Sequence, residues 1–154
     1  MSGPAIRLHR YPFLPDEPAG TVRAMTPFDA VTATPTPLID RAVLHRNIER
    51  MAASARDRGI ALRPHAKTHK CPEIAHLQIA AGASGLTVAT VSEAEVFADA
   101  GFDDLFVAYP LWVDAARGAR LADLAGRVRI SVGVDSVEGA RALATHAGTG
   151  IEVL

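Results

Sequence analysis

The chain has little of what would tie it to an oxidising compartment, a nucleic acid or a membrane. One cysteine, Cys71, in 154 residues leaves no intrachain disulfide and fits a reducing compartment. Sixteen lysines and arginines face 17 aspartates and glutamates, a net charge of −1. That balance excludes nucleic acid as the main partner, which calls for a basic face. No apolar run approaches the ~18 residues a membrane span needs, and the N-terminus shows no basic-then-apolar leader pattern. The expectation is a cytoplasmic protein with no membrane partner. Neither G-x-G-x-x-G nor a Walker sequence occurs. What remains, 49% hydrophobic and 21% charged residues, is the composition of an ordinary soluble globular domain.

Residues 1–33 are rich in proline, at Pro4, Pro12, Pro15, Pro18 and Pro27. They show no sustained period and read as an irregular arm. From Thr34 onward the chain is ordered in strand–helix units. Asp40 is a good N-cap, Leu44, Ile48, Met51 and Ala55 follow at helical spacing, and Gly59 suits the C-terminal position, which predicts a helix over 41–58. A strand is expected from Ile60-Ala61-Leu62, then a helix with Pro72 in its first turn. Further strands are expected at Leu86–Thr90, Leu105–Tyr109, Val128–Val134 and from Ile151. Ser92 with Glu95 reads as a capping box for a helix over 93–100. A helix over about 113–125 follows, and Asp135 with Glu138 opens another to about 147. The glycines at 82, 85, 101, 118, 126 and 133 read as turn or cap residues, and Trp112 as a packing residue.

Such βα alternation implies parallel strands with right-handed crossovers. A doubly wound open sheet and part of a (β/α)8 barrel both satisfy it. A barrel takes ~250 residues, so 34–154 reads as the front of a truncated barrel with about five strands. Without the remaining strands the chain is expected to be unstable, aggregating or inactive on its own.

The chemistry concentrates in Arg63-Pro64-His65-Ala66-Lys67-Thr68-His69-Lys70. On a strand, Arg63, His65 and Lys67 share one face. Cations there are costly unless an anion or a reacting group waits nearby. Neighbouring cations disfavour the charged form of a lysine, which is how Schiff-base lysines are made nucleophilic. A solvated basic loop is the plain alternative. Functional side chains of α/β folds sit at the C-terminal strand ends, which here supply Lys67, Thr90, Tyr109 and the Val134-Asp135 corner. His65 reads equally as a cofactor contact or a hydrogen-bonded core histidine, Arg63 as an ion-pair partner, and Cys71 as a capping or packing residue. His65, His69, Cys71 and His76 match no strong zinc pattern, since structural sites pair ligands with a second pair elsewhere and no second cysteine exists.

Pro64 to Ala75, with its Lys67-Thr68-His69-Lys70-Cys71-Pro72-Glu73-Ile74-Ala75 run, resembles the lysine segment of the D-threonine aldolase and D-serine dehydratase family. Thr34-Pro35-Thr36-Pro37-Leu38-Ile39-Asp40 and Thr87 to Glu95 resemble that family too. The resemblance covers about 34–154. It implies an alanine-racemase-type N-terminal barrel (fold type III) and pyridoxal 5'-phosphate as cofactor, held covalently by Lys67; His65, from its place beside Lys67, and Thr90 and Tyr109, from their strand ends, are the further cofactor contacts expected. It implies a lyase acting on a small β-hydroxy D-amino acid. An aldolase turns D-threonine into glycine and acetaldehyde, and a dehydratase turns D-serine into pyruvate and ammonia. The Lys67–Ala75 run tilts towards the aldolase. A racemase and a non-catalytic cofactor-binding protein are the other readings. The resemblance also implies a divalent metal, manganese or zinc, bound by a C-terminal β-domain absent from this chain. The assembly it suggests is a monomer or a homodimer.

Overall fold

The computed structural model describes residue 33 and residues 35–154. The irregular arm expected over 1–33 lies almost wholly outside the described residues. Residues 35–40 carry no helix or strand.

The first helix, α1 (Arg41–Asp57), starts where Asp40 accepts a hydrogen bond from the Val43 amide (2.9 Å). It stops before Gly59, whose φ of +65° is left-handed backbone that suits glycine. Ala52 and Ala55 are its buried residues, whereas Met51, expected on the apolar stripe, is 58% exposed. Helix α2 (Pro72–Ala80) has proline at N1, where a missing N–H costs nothing.

The remaining elements are β1 (Leu86–Val88), α3 (Val91–Asp99), β2 (Asp104–Val107), α4 (Ala115–Ala125), β3 (Arg129–Val132), α5 (Val137–Ala147) and β4 (Glu152–Val153). The four strands lie in the order β1-β2-β3-β4, every neighbouring pair parallel. This order decides between the two architectures. When each strand is added on the same side as the last and crossovers are right-handed, all the helices fall on one face. A doubly wound sheet reverses its strand order to cover both faces. The monotonic order is that of a barrel wall.

Register carries the same message. Leu86, Leu105 and Ile130 are aligned across the sheet, as are Val88, Val107 and Val132, and each is at most 1% exposed. They form one core with Val91, Ala94 and Phe97 of α3, Leu121 and Leu124 of α4, and Leu143 of α5. Each valine, leucine, isoleucine or phenylalanine among them contributes about 1.5–3 kcal/mol on full burial. The other face carries Thr87, Phe106 and Ser131.

Several local expectations need correction. The segment Ile60-Ala61-Leu62 is not a strand. It runs beside β1 through Ser84 N–H to Leu62 O and Thr87 N–H to Pro64 O (both 2.8 Å), with a single bridge at His65–Thr87. Pro64 has no N–H to return a bond, so the described sheet has four strands and this one bridge, against about five expected. Helix α3 is capped by Thr90, not Ser92, and α5 by Ser136, not Asp135. Gly118 is no turn residue but lies inside α4, buried against the His146 backbone of α5. Trp112 is 63% exposed and does not pack into the core.

Candidate functional site

The C-terminal ends of parallel strands face one way, and the side chains singled out from the sequence gather around that end. After the His65–Thr87 bridge the chain turns through a 3-10 helix, Ala66–Thr68. Strand alternation therefore ends at His65, and Arg63, His65 and Lys67 do not share one strand face as expected. The turn is held from both sides. His65 Nδ1 accepts the Lys67 amide (3.3 Å), and Ala66 O accepts the Lys70 amide (2.8 Å). Because Nδ1 accepts, the ring proton of His65 resides on Nε2. Lys70 closes the turn at φ +48°, a left-handed conformation uncommon for a residue with a side chain.

The cation cluster is dismantled by pairing. Arg63 bonds the Asp104 carboxylate at 2.8 Å with its side chain only 25% exposed, the ion-pair role expected for it. Lys70 Nζ lies 3.2 Å from Glu93 Oε1. Lys67 is exposed and has no ion-pair partner among the described residues. Its primary amine is thus the group of the stretch left open to a ligand, which is the donor chemistry a cofactor aldehyde requires.

Glu93 is the residue that sequence reasoning passed over. Its side chain is 14% exposed, and its second oxygen accepts the Ala89 amide at 2.7 Å. Burial pushes this carboxyl up, but the Ala89 N–H, the Lys70 ammonium and the nearby His65 outweigh that, and it sits below the usual glutamate range. The signal was present, since Thr90-Val91-Ser92-Glu93 has capping-box spacing. Ser92 and Glu95 have the same spacing but serve elsewhere, both bonding Arg120 (2.8 Å from Ser92, 2.6–2.7 Å from Glu95).

Thr90 caps α3, its hydroxyl oxygen accepting the Glu93 amide (3.1 Å), and is exposed with its O–H proton free to be donated. Tyr109 follows β2 and is 67% exposed. Asp135 follows β3 and is exposed. His65 with Lys67, then Thr90, then Tyr109 thus follow the C-terminal ends of the His65 bridge, β1 and β2.

The other residues of the motif have structural work. Burial pushes the His69 imidazole down. Its Nδ1 accepts the Cys71 amide (3.1 Å), while its Nε2 and Gln78 Oε1 are buried without a well-formed hydrogen bond. Both side chains line a largely apolar cavity of about 420 Å³ between α1, Leu62–His65 and α2, of which Lys67 is not a part. The Cys71 thiol donates to Glu73 (3.0 Å), and burial together with that bond pushes its pKa up, away from nucleophilic use. His76 stacks on Phe102 at 4.3 Å. Among the described residues no three His, Cys, Asp or Glu side chains converge, so this part of the molecule does not fit a divalent metal.

Comparison with known proteins agrees with this geometry. Residues 39–154 match the alanine racemase, N-terminal domain family. The chain is 41% identical over 124 residues to a D-threonine aldolase of Arthrobacter sp, a match covering 79% of this chain and 32% of that protein. It is 48% identical over 75 residues to a D-threo-3-hydroxyaspartate dehydratase of Delftia sp. (strain HT23), covering 49% of this chain and 20% of the relative. The crystal structure of D-threonine aldolase from Filomicrobium marinum superposes with a TM-score of 0.75 at 40% identity, over 79% of this chain and 34% of that one. The chain therefore spans about a third, or less, of the length of these relatives. Motif, one-sided parallel sheet and comparison converge, and the chain belongs to the alanine racemase N-terminal domain family.

Proposed function

We propose that the protein is the cofactor-lysine part of a pyridoxal-phosphate-dependent lyase acting on a β-hydroxy D-amino acid, in the manner of a D-threonine aldolase. The observation that carries this reading is Lys67: an exposed amine without an ion pair among the described residues, at the C-terminal end of a barrel-wall sheet. The relatives named D-threonine aldolase support the substrate class.

In this reading the Lys67 amine would hold the cofactor through its aldehyde carbon and would serve as a base beside the substrate Cα. His65 holds the Lys67 turn through Nδ1 and offers its Nε2 proton as a hydrogen-bond donor. The Thr90 hydroxyl, its oxygen already used in capping α3, donates its proton towards the cofactor, and the exposed Tyr109 ring forms a wall. When bound, pyridoxal phosphate supplies an electron sink for the bond broken at Cα. The metal expected for the family finds no ligand set among the described residues, and no step is assigned to it. The domain division is part of the proposal: an arm over 1–33 and barrel from 34, with any metal-binding β-domain outside this sequence.

A second reading, a dehydratase, draws on the D-threo-3-hydroxyaspartate dehydratase of Delftia. There Lys67 would take the Cα proton before hydroxide leaves. Pyridoxal phosphate followed by borohydride is expected to add one label, at Lys67, that Lys67→Ala abolishes. A label spread equally over the amines would overturn the cofactor reading. Acetaldehyde from D-threonine marks the aldolase, and pyruvate with ammonia from D-serine marks the dehydratase.

A further inference from the structure

The sequence contains two lysines, Lys67 and Lys70. They are three residues apart, on the same turn, and both exposed. Any aldehyde that reaches this end of the sheet meets both. We propose that Glu93 decides between them: it holds the Lys70 head group in an ion pair and so directs the carbonyl to Lys67. The inference rests on the cofactor reading only for the identity of the aldehyde.

Condensation needs a nitrogen lone pair that is free of any partner. The lone pair of a neutral Nζ attacks the carbonyl carbon, C=N replaces C=O, and two nitrogen-bound protons leave with the carbonyl oxygen as water. Nothing is oxidised or reduced, and an ammonium cannot begin. Lys70 Nζ is 3.2 Å from Glu93 Oε1. The carboxylate is well placed to hold it, because Oε2 is fixed on the Ala89 amide at 2.7 Å and the side chain is only 14% exposed. The anchoring amide lies at the C-terminal end of β1, so the Lys70 head group is tied to the sheet, whereas Lys67 Nζ has no such tie among the described residues. The Lys70 backbone adds a second tie, its N–H closing the turn on Ala66 O at 2.8 Å. Glu93 is thus a positioning residue. It need not touch a substrate, and it acts through Lys70.

The test is competitive labelling of the 154-residue protein. Trace acetic anhydride, a reagent blind to any cofactor site, reports the relative reactivity of each lysine amine by peptide mass. Lys67 is expected to label about fivefold faster than Lys70, the preference a half-exposed ion pair can supply. Glu93→Gln, which keeps an acceptor for Ala89, is expected to bring the two rates within about twofold. Glu95→Gln, whose carboxylate pairs with Arg120 instead, should leave the ratio alone. Should Glu93→Gln lose its native circular dichroism, the wild-type chain in about 1 M salt, where screening acts over ~3 Å, is to show the same narrowing. Equal labelling in the wild type, or a ratio untouched by both Glu93→Gln and salt, overturns the inference. Repeating the experiment with pyridoxal phosphate and borohydride separates the two claims. If acetylation favours Lys67 while pyridoxal phosphate labels neither lysine, the Glu93 inference stands and the cofactor reading falls; pyridoxal phosphate on Lys70 overturns both.

Discussion

Asp104 serves two arginines at once. Its Oδ1 is 2.8 Å from Arg63 and its Oδ2 3.5 Å from Arg129, and its own side chain is 17% exposed. Asp104→Asn would leave the 25%-exposed Arg63 guanidinium without its countercharge. A partly buried charge left unpaired costs about 1–2 kcal/mol. Asp99, 66% exposed beside Arg127, is the contrast, and Asp99→Asn should cost less than ~1 kcal/mol. Urea unfolding of the two variants checks the order, and equal losses would remove Asp104 from its bridging role. Glu93 gives a pH prediction with a defined sign. Its carboxyl is depressed in the folded chain, so the stability it contributes is present above the ordinary glutamate pKa of about 4.3 and is lost as pH falls through the lower folded value. Glu93→Gln should flatten the acid side of the stability–pH curve by lowering stability at neutral pH, and leave it little changed below the folded glutamate value. At this scale the sequence was half legible. Lys67 stood out because its motif is a dozen residues long. Glu93 did not, because two S/T-x-x-E frames overlap over 90–95 and only packing selects one. Val91, 4% exposed, must lie inside the helix, and that places the cap on Thr90.

The helices were read within a residue or two, because apolar periodicity and glycine stops are local signals. Their packing was not, and Gly118 is the clearest case. In sequence it is one glycine among several, whereas in the fold a Cβ there would meet the His146 carbonyl of α5. Gly118→Ala sets two effects against each other. The helix gains about 1 kcal/mol in propensity, and overpacking costs about 1–3 kcal/mol. The obstacle is backbone, which cannot swing aside, so the expected outcome is net destabilisation of about 1–2 kcal/mol. Thermal unfolding should show a melting temperature several degrees lower. An unchanged or raised value would mean that α4 and α5 are further apart than described. The first strand failed for a different reason: β-propensity over 60–62 cannot reveal that Pro64 lacks the donor a ladder needs.

At the scale of the molecule, barrel and doubly wound sheet are alike in sequence, since both are βα repeats, and only the strand order separates them. That order has a consequence for solution behaviour. Strand β4 is bonded to β3 through Leu154 N–H to Val132 O and Val134 N–H to Leu154 O, and its outer edge has no partner among the described residues. Val153 and Leu154 beside it are 46% and 61% exposed. An unpaired edge with apolar side chains is a template for another chain. The 154-residue protein is therefore expected to self-associate as its concentration rises, which sedimentation velocity would show as a growing heavier species. Val153→Lys puts a charge on that edge, the means by which native sheets block edge pairing, and should return the protein towards the monomer without altering its Lys67:Lys70 labelling ratio. If the wild type stays monomeric at high micromolar concentration, β4 is not an open edge. If Val153→Lys changes the labelling ratio but not the association, the edge and the lysine turn are coupled through the sheet.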